Sequence, residues 1–268
     1  MMIVPPHNAS GAVLATLLIS AALALTGPAH ATPGDVFRFT GEAREDGREL
    51  YRELHEVTGE CLTGQWQPRF HQVTYVRPDS DEPFASKELD YTPGLLTPAV
   101  TFHQPDFAEK LLVRPSNGGE NSTAGSTPDE VTIDWQPARG ATQQFRVALE
   151  DSVVIDAGFD HLVRQNWAAI TRDQPVRFRF LGPTRGEHYG FALKPAQPDI
   201  PRAEHVVSIE PTGLVTRLLV SPILLGYDGS GFLTDYVGLT NIRKNADTNY
   251  TAHIRYTHNG LPDCPLVP

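Results

Sequence analysis

Apolar and polar positions alternate along most of the chain. The runs are Val131, Ile133, Trp135; Phe145, Val147, Leu149; Val176, Phe178, Phe180; Tyr189, Phe191, Leu193; and Tyr250, Ala252, Ile254, Tyr256. A period of two is strand spacing, with one face turned to a core and the other to water. Turn-forming residues separate the runs at short intervals, which predicts about ten or more antiparallel strands. The expected fold class is therefore mainly β (α+β): a large curved antiparallel sheet, half-barrel or barrel-like, with one or two packed helices.

The first hairpin can be read residue by residue. In FRFTGEAREDGRELYRELHEV, Asp46-Gly47 is a two-residue type I′ signal. Pairing Glu45 with Arg48 places Ala43 beside Leu50 and Phe39 beside Leu54 on an apolar face. The other face then matches Arg44 with Glu49, Thr40 with Glu53 and Arg38 with His55. Arg52 falls on the apolar face in this register, opposite Gly41. A buried guanidinium is costly unless paired. Arg52 is thus expected either to meet a carboxylate, a carbonyl cluster or an anionic ligand group, or to pack its stem and send its head to the sheet edge.

One stretch breaks the period. After Ser152 to Ile155, read as a buried strand, Phe159, Leu162, Val163, Trp167 and Ile170 recur at helical spacing. Asp156 stands where an N-cap accepting from the Phe159 N–H belongs. Asp160 and Arg164 form an i, i+4 pair assigned to the outer face, near Gln165 and Ala168. The helix is expected to press its apolar stripe into the sheet, over one end or the concave face. Arg52, Phe159, Leu162, Val163 and Trp167 are the candidate ligand-binding residues.

The N-terminus predicts the location. Residues 12–25 form an apolar run of signal-peptide length, and Ala29-His30-Ala31 is a small-x-small cleavage site. Residues 1–31 carry no Lys or Arg, and the run is shorter than the roughly 20 residues a spanning helix needs. The expectation is a signal peptide over 1–31 and a protein that is periplasmic or secreted and does not span the membrane. Residues 32–268 read as a single β-rich domain. It is interrupted by a flexible loop at 115–129, PSNGGENSTAGSTPD, and by a Pro-rich connection at 194–203 suited to carrying the chain between sheet layers. In an oxidising compartment Cys61 and Cys264 are expected to form a disulfide rather than remain two buried thiols.

A net charge of −10 argues against nucleic acid as a partner. His55-Glu56 begins an H-E-x-x-H motif, but Gly59 stands where the second histidine belongs. His253 and His258 are assigned to opposite strand faces, and the Asp228-Gly229-Ser230-Gly231 turn lacks the later carboxylates of a calcium loop. The histidines read as solvent-facing strand residues. No catalytic residue, metal site or cofactor is predicted, and the chain is not expected to be an enzyme. Three functions stay open. The first is a noncatalytic carrier for an apolar, lipid-like ligand. The second is a cell-envelope structural or assembly module that binds another protein through a strand edge. The third is a hydrolase without a recognisable motif.

The segments GEAREDGRELYRELHEV, VVIDAGFDHLVRQNW with VRFRFLGPTR, and LTDYVGLTNIRKNADTNYTAHIRY resemble uncharacterised secreted β-rich proteins of Gram-negative bacteria. In fold style they are remotely similar to the periplasmic lipoprotein-carrier class of half-barrels. That resemblance implies an apolar concavity, plugged by helices, that accepts acyl chains.

Overall fold

The Asp46-Gly47 turn, both residues at positive φ, joins β1 (Asp35–Glu45) to β2 (Arg48–Leu62) in a computed structural model of the chain. The structure describes residues 35–116, 128–198, 200–213 and 221–268. The signal peptide expected over 1–31 lies outside the described residues, as do positions 117–127 of the loop expected at 115–129. The meander continues through β3 (Gln65–Val76), β4 (Pro83–Asp90), β5 (Ala99–Gln104), β6 (Glu109–Ser116), β7 (Glu130–Gln136) and β8 (Gln143–Ala148). A two-residue strand, β9 (Val153–Val154), leads into α1 (Gly158–Gln165) and α2 (Trp167–Ile170). Then follow β10 (Val176–Gly182), β11 (Glu187–Pro195), β12 (His205–Pro211), β13 (Ile223–Tyr227), β14 (Leu233–Arg243) and β15 (Asn249–His258).

All fifteen strands belong to one sheet, ordered from β8 back to β1, then from β15 back to β9. Among the described residues only the β9–β10 pair is parallel. From β1 in mid-sheet the strands thus run to one edge, resume at the other and return until β15 pairs with β1. Residues 149–152 alone separate the two edge strands, and five chain steps span at most about 18 Å. The sheet must therefore curl until its ends approach each other. Val153, Ile155 and Leu181 from one end share an apolar cluster with Leu89, Val100, Val113 and Ile133 from the other wall. The expected large curved antiparallel sheet with two packed helices is what the chain builds. The 194–203 connection, in contrast, changes no layer: β11 and β12 are adjacent antiparallel strands of the same sheet.

A β-bulge corrects the first-hairpin register. Glu45–Arg48 and Arg44–Glu49 pair as the turn dictates, but Ala43 then faces Tyr51, Gly41 faces Glu53 and Phe39 faces His55. Leu50 is the inserted residue. Because side chains alternate, a slip of one residue turns every later side chain to the other face. Tyr51, Glu53, His55 and Val57 turn inward, while Arg52 and Leu54 turn out. Arg52 is 38% exposed, pairs with Glu49 at 3.5 Å and reaches the Pro78 carbonyl at 3.4 Å. The space at Gly41 is filled by the Tyr256 ring, which a Cβ there would strike. Tyr51 becomes fully buried, and Leu54 is left 41% exposed.

Cys61 and Cys264 form the expected disulfide, with Cα atoms 6.0 Å apart. The Trp66 N–H donates to the Pro265 carbonyl at 2.9 Å, so the C-terminal tail is strapped across the β2–β3 turn. Closing so long a loop stabilises by up to about 5 kcal/mol in the chain-entropy picture. Among the described residues no helix is long and apolar enough to cross a membrane.

Candidate functional site

The apolar stripe of the helical segment lands on the inner face of the sheet. Leu162, Val163 and Ile170 are buried with Phe178, Leu193, Val207, Ile209, Leu225 and Tyr227, and Phe159 and Trp167 pack half-buried at the margin. The Trp167 ring stands edge-on to Tyr227, with centroids 5.9 Å apart. Four of the five candidate binding residues, Phe159, Leu162, Val163 and Trp167, are thus brought together. Arg52 is not among them, since the bulge places it on the outer surface.

The polar residues of the segment do not stand where helix periodicity assigns them. Asp156 does not cap the helix: Ala157 occupies the cap position and no side chain bonds there. The Asp156 carboxylate accepts from Lys87 Nζ at 2.9 Å, from Asn241 at 3.1 Å and from the Ala157 N–H at 2.8 Å. Lys87 is buried, and an unpaired buried ammonium costs several kcal/mol, more than the roughly 1 kcal/mol a cap supplies. Asp156 adopts φ 43° to make these contacts.

Asp160 and Arg164 do pair, at 2.8 Å, but inside the protein rather than on a solvated face. Arg164 Nε also donates to the Gly231 carbonyl at 3.0 Å. Burial raises the Asp160 carboxyl, against the pull of Arg164, and Tyr227 is raised by burial and by Asp160. His161, read from sequence as solvent-facing, is buried edge-on against Tyr91 at 5.0 Å. Desolvation, reinforced by Arg164, pushes it down to about 3. The helix is enclosed on both its apolar and its polar sides. Polar contacts to β4, β14 and the turn after β13 clip it in place.

A second polar cluster lies on the inner face of β2 and β3. His55 Nε2 meets the Glu53 carboxylate at 3.0 Å, and His55 Nδ1 meets His71 Nε2 at 2.8 Å. The Tyr256 hydroxyl donates to Glu53 at 3.1 Å, and Phe39 stacks on the His55 ring at 4.2 Å. A carboxylate accepts only, so His55 donates from Nε2 to Glu53. Burial, followed by His55 and Lys87, drives His71 well below its usual range. The arrangement can hold and relay a proton between two rings, and it orients both imidazoles. Among the described residues no cluster of His, Cys, Asp and Glu is disposed to hold a metal ion. The reading of the strand histidines as solvated fails at His55 and His71, and the helical His161 is buried as well. His55 turns inward through the bulge and His161 with the buried helix, neither of which has a local sequence signal, whereas His71 shares its face with Val73 and Tyr75 by alternation along β3.

No protein-family model, curated protein or solved structure matches this chain.

Proposed function

We propose that this protein is a noncatalytic carrier or binding protein for an apolar, lipid-like ligand. It would act in the periplasm or outside the cell after removal of residues 1–31. The observation that carries this reading is the seat of α1 and α2. Two short helices cover an inner sheet surface made of Phe178, Leu193, Val207, Ile209 and Leu225. Lifting them would present that surface to an acyl chain, which buries apolar area as the helices do, at about 25 cal/mol per Å². The helices are held by discrete polar clips, Lys87–Asp156–Asn241 and Arg164–Gly231, and such clips are either made or broken as a unit.

A lipophilic fluorescent probe titrated into residues 32–268 tests the proposal. Saturable binding is expected. Gly158→Ala should tighten it, because a Cβ there drives into the Leu96 backbone and loosens the seat of α1. Absence of saturable binding in the folded wild-type protein would refute the carrier reading whatever the variant does. A second reading, an envelope assembly module, is favoured by one feature: β8 is an edge strand whose residues are half or fully exposed, open to strand addition.

A further inference from the structure

On the opposite side of the sheet from α1, a cleft of about 400 Å³ opens over β5, β6 and β7. Strand register sets its floor. Thr101, Leu112 and Asp134 form one cross-strand row, and His103, Lys110 and Gln136 form the next. Thr142, from the connection to β8, adds to the wall. Phe102 and Leu111 also line the cleft but pack toward the core, as alternation requires.

The charges in this cleft do not cancel. Both Asp134 oxygens are occupied, one by Arg114 and the other by Gln144 at 2.6 Å. Arg114 holds the Asp134 carboxyl below its usual range, so this acid is already matched by a cation outside the cleft. Lys110 and His103, directly opposite each other across β5 and β6, have no acidic partner among the described residues. Around them stand groups able to donate hydrogen bonds: the Thr101 and Thr142 hydroxyls and the Gln136 amide. Lys110 thus gives the cleft a cation with no acidic partner among the described residues, and that cation is complementary to an anion. Half-buried Leu112, in the first row and next to Lys110 on the same face of β6, supplies an apolar contact.

The geometry points to a binding site for a small molecule that carries an oxyanion, carboxylate or phosphate, on an apolar body. The oxyanion sits on Lys110, with His103 and Gln136 as further donors, and the apolar body lies along Leu112. The volume falls within the roughly 300–1,000 Å³ of ordinary small-molecule sites. This site is independent of the carrier surface, since the two lie on opposite faces of the sheet.

Calorimetric titration of the protein with octanoate, octyl phosphate and octan-1-ol tests it, using wild type, Lys110→Glu and Gly158→Ala. Octanoate, octyl phosphate or both should bind saturably and more tightly than octan-1-ol. Lys110→Glu should weaken that binding at least about tenfold, the loss of one charge-assisted contact, while Gly158→Ala leaves it unchanged. Whichever anion binds identifies the headgroup. The proposal is overturned if neither anion binds, if octan-1-ol binds as well as octanoate, or if Lys110→Glu has no effect. Binding that responds to Gly158→Ala and not to Lys110→Glu would place the ligand under the helices, refuting this site and leaving the carrier reading intact. Lys110 is exposed on its strand, so its replacement is expected to leave the fold unchanged, and a circular dichroism spectrum checks this.

Discussion

Acid should destabilise this protein well above the carboxylate range, because it buries neutral histidines. His161 is 8% exposed and held at about 3 by desolvation first and Arg164 second. In the unfolded chain it titrates near 6.5. Above about pH 6.5 neither state holds the proton, so the full stability is present. As pH falls below that value the unfolded chain gains a proton that the folded protein refuses. Stability then drops by about 1.4 kcal/mol per pH unit, and the loss continues until the folded value is reached. At pH 5 the loss from His161 alone is about 2 kcal/mol, a sizeable part of a typical total of about 5–15 kcal/mol. His71, lowered chiefly by burial, adds in the same direction. Asp160, raised by burial, opposes both. Urea unfolding at about pH 7.5, 6.5, 5.5 and 5 measures the sum. The same series on His161→Gln, neutral throughout, isolates one histidine: the slope of stability against pH below 6 should fall by about one proton, near 1.4 kcal/mol per unit. Parallel pH profiles for wild type and His161→Gln would refute a buried neutral imidazole at this position.

The bulge makes a paired prediction. Arg52→Ala should change stability by no more than about 0.5 kcal/mol, whereas Tyr51→Ala should cost about 3–5 kcal/mol. Chemical denaturation giving the reverse order would restore the unbulged register. Asp156→Asn keeps a residue that tolerates positive φ but removes the charge beside Lys87, and should cost about 3–5 kcal/mol. A double variant with Lys87→Met should recover much of that loss in the same melts, since it removes the orphaned ammonium.

Much of the fold was legible because its signals are local. The Asp46-Gly47 turn, the period-two runs and the switch to helical spacing after Ile155 each depend on a few adjacent residues. All three appear in place. The Cys61–Cys264 bridge was legible from an even count of two in an expected oxidising setting. Arg52 was misplaced because one inserted residue at Leu50 reverses every later side chain on β2. The energy that favours the insertion, burial of Tyr51 and Val57 instead of Leu50 and Leu54, comes from partners on distant strands.

The same division holds for the site. Sequence alone determined that Phe159, Leu162, Val163 and Trp167 share a helical face and that this face seeks an apolar surface. Tertiary structure alone decided what encloses the other faces. Asp156 meets Lys87, 69 positions earlier, and Asn241, 85 later, and Arg164 meets Gly231, 67 later. Periodicity sorts residues into faces but cannot say how many faces are covered. A helix on the rim of a sheet leaves its charges in water, whereas one enclosed by a curled sheet must find each charge a partner. Which of these occurs depends on the whole sheet curling until its ends approach each other, and no short segment encodes that.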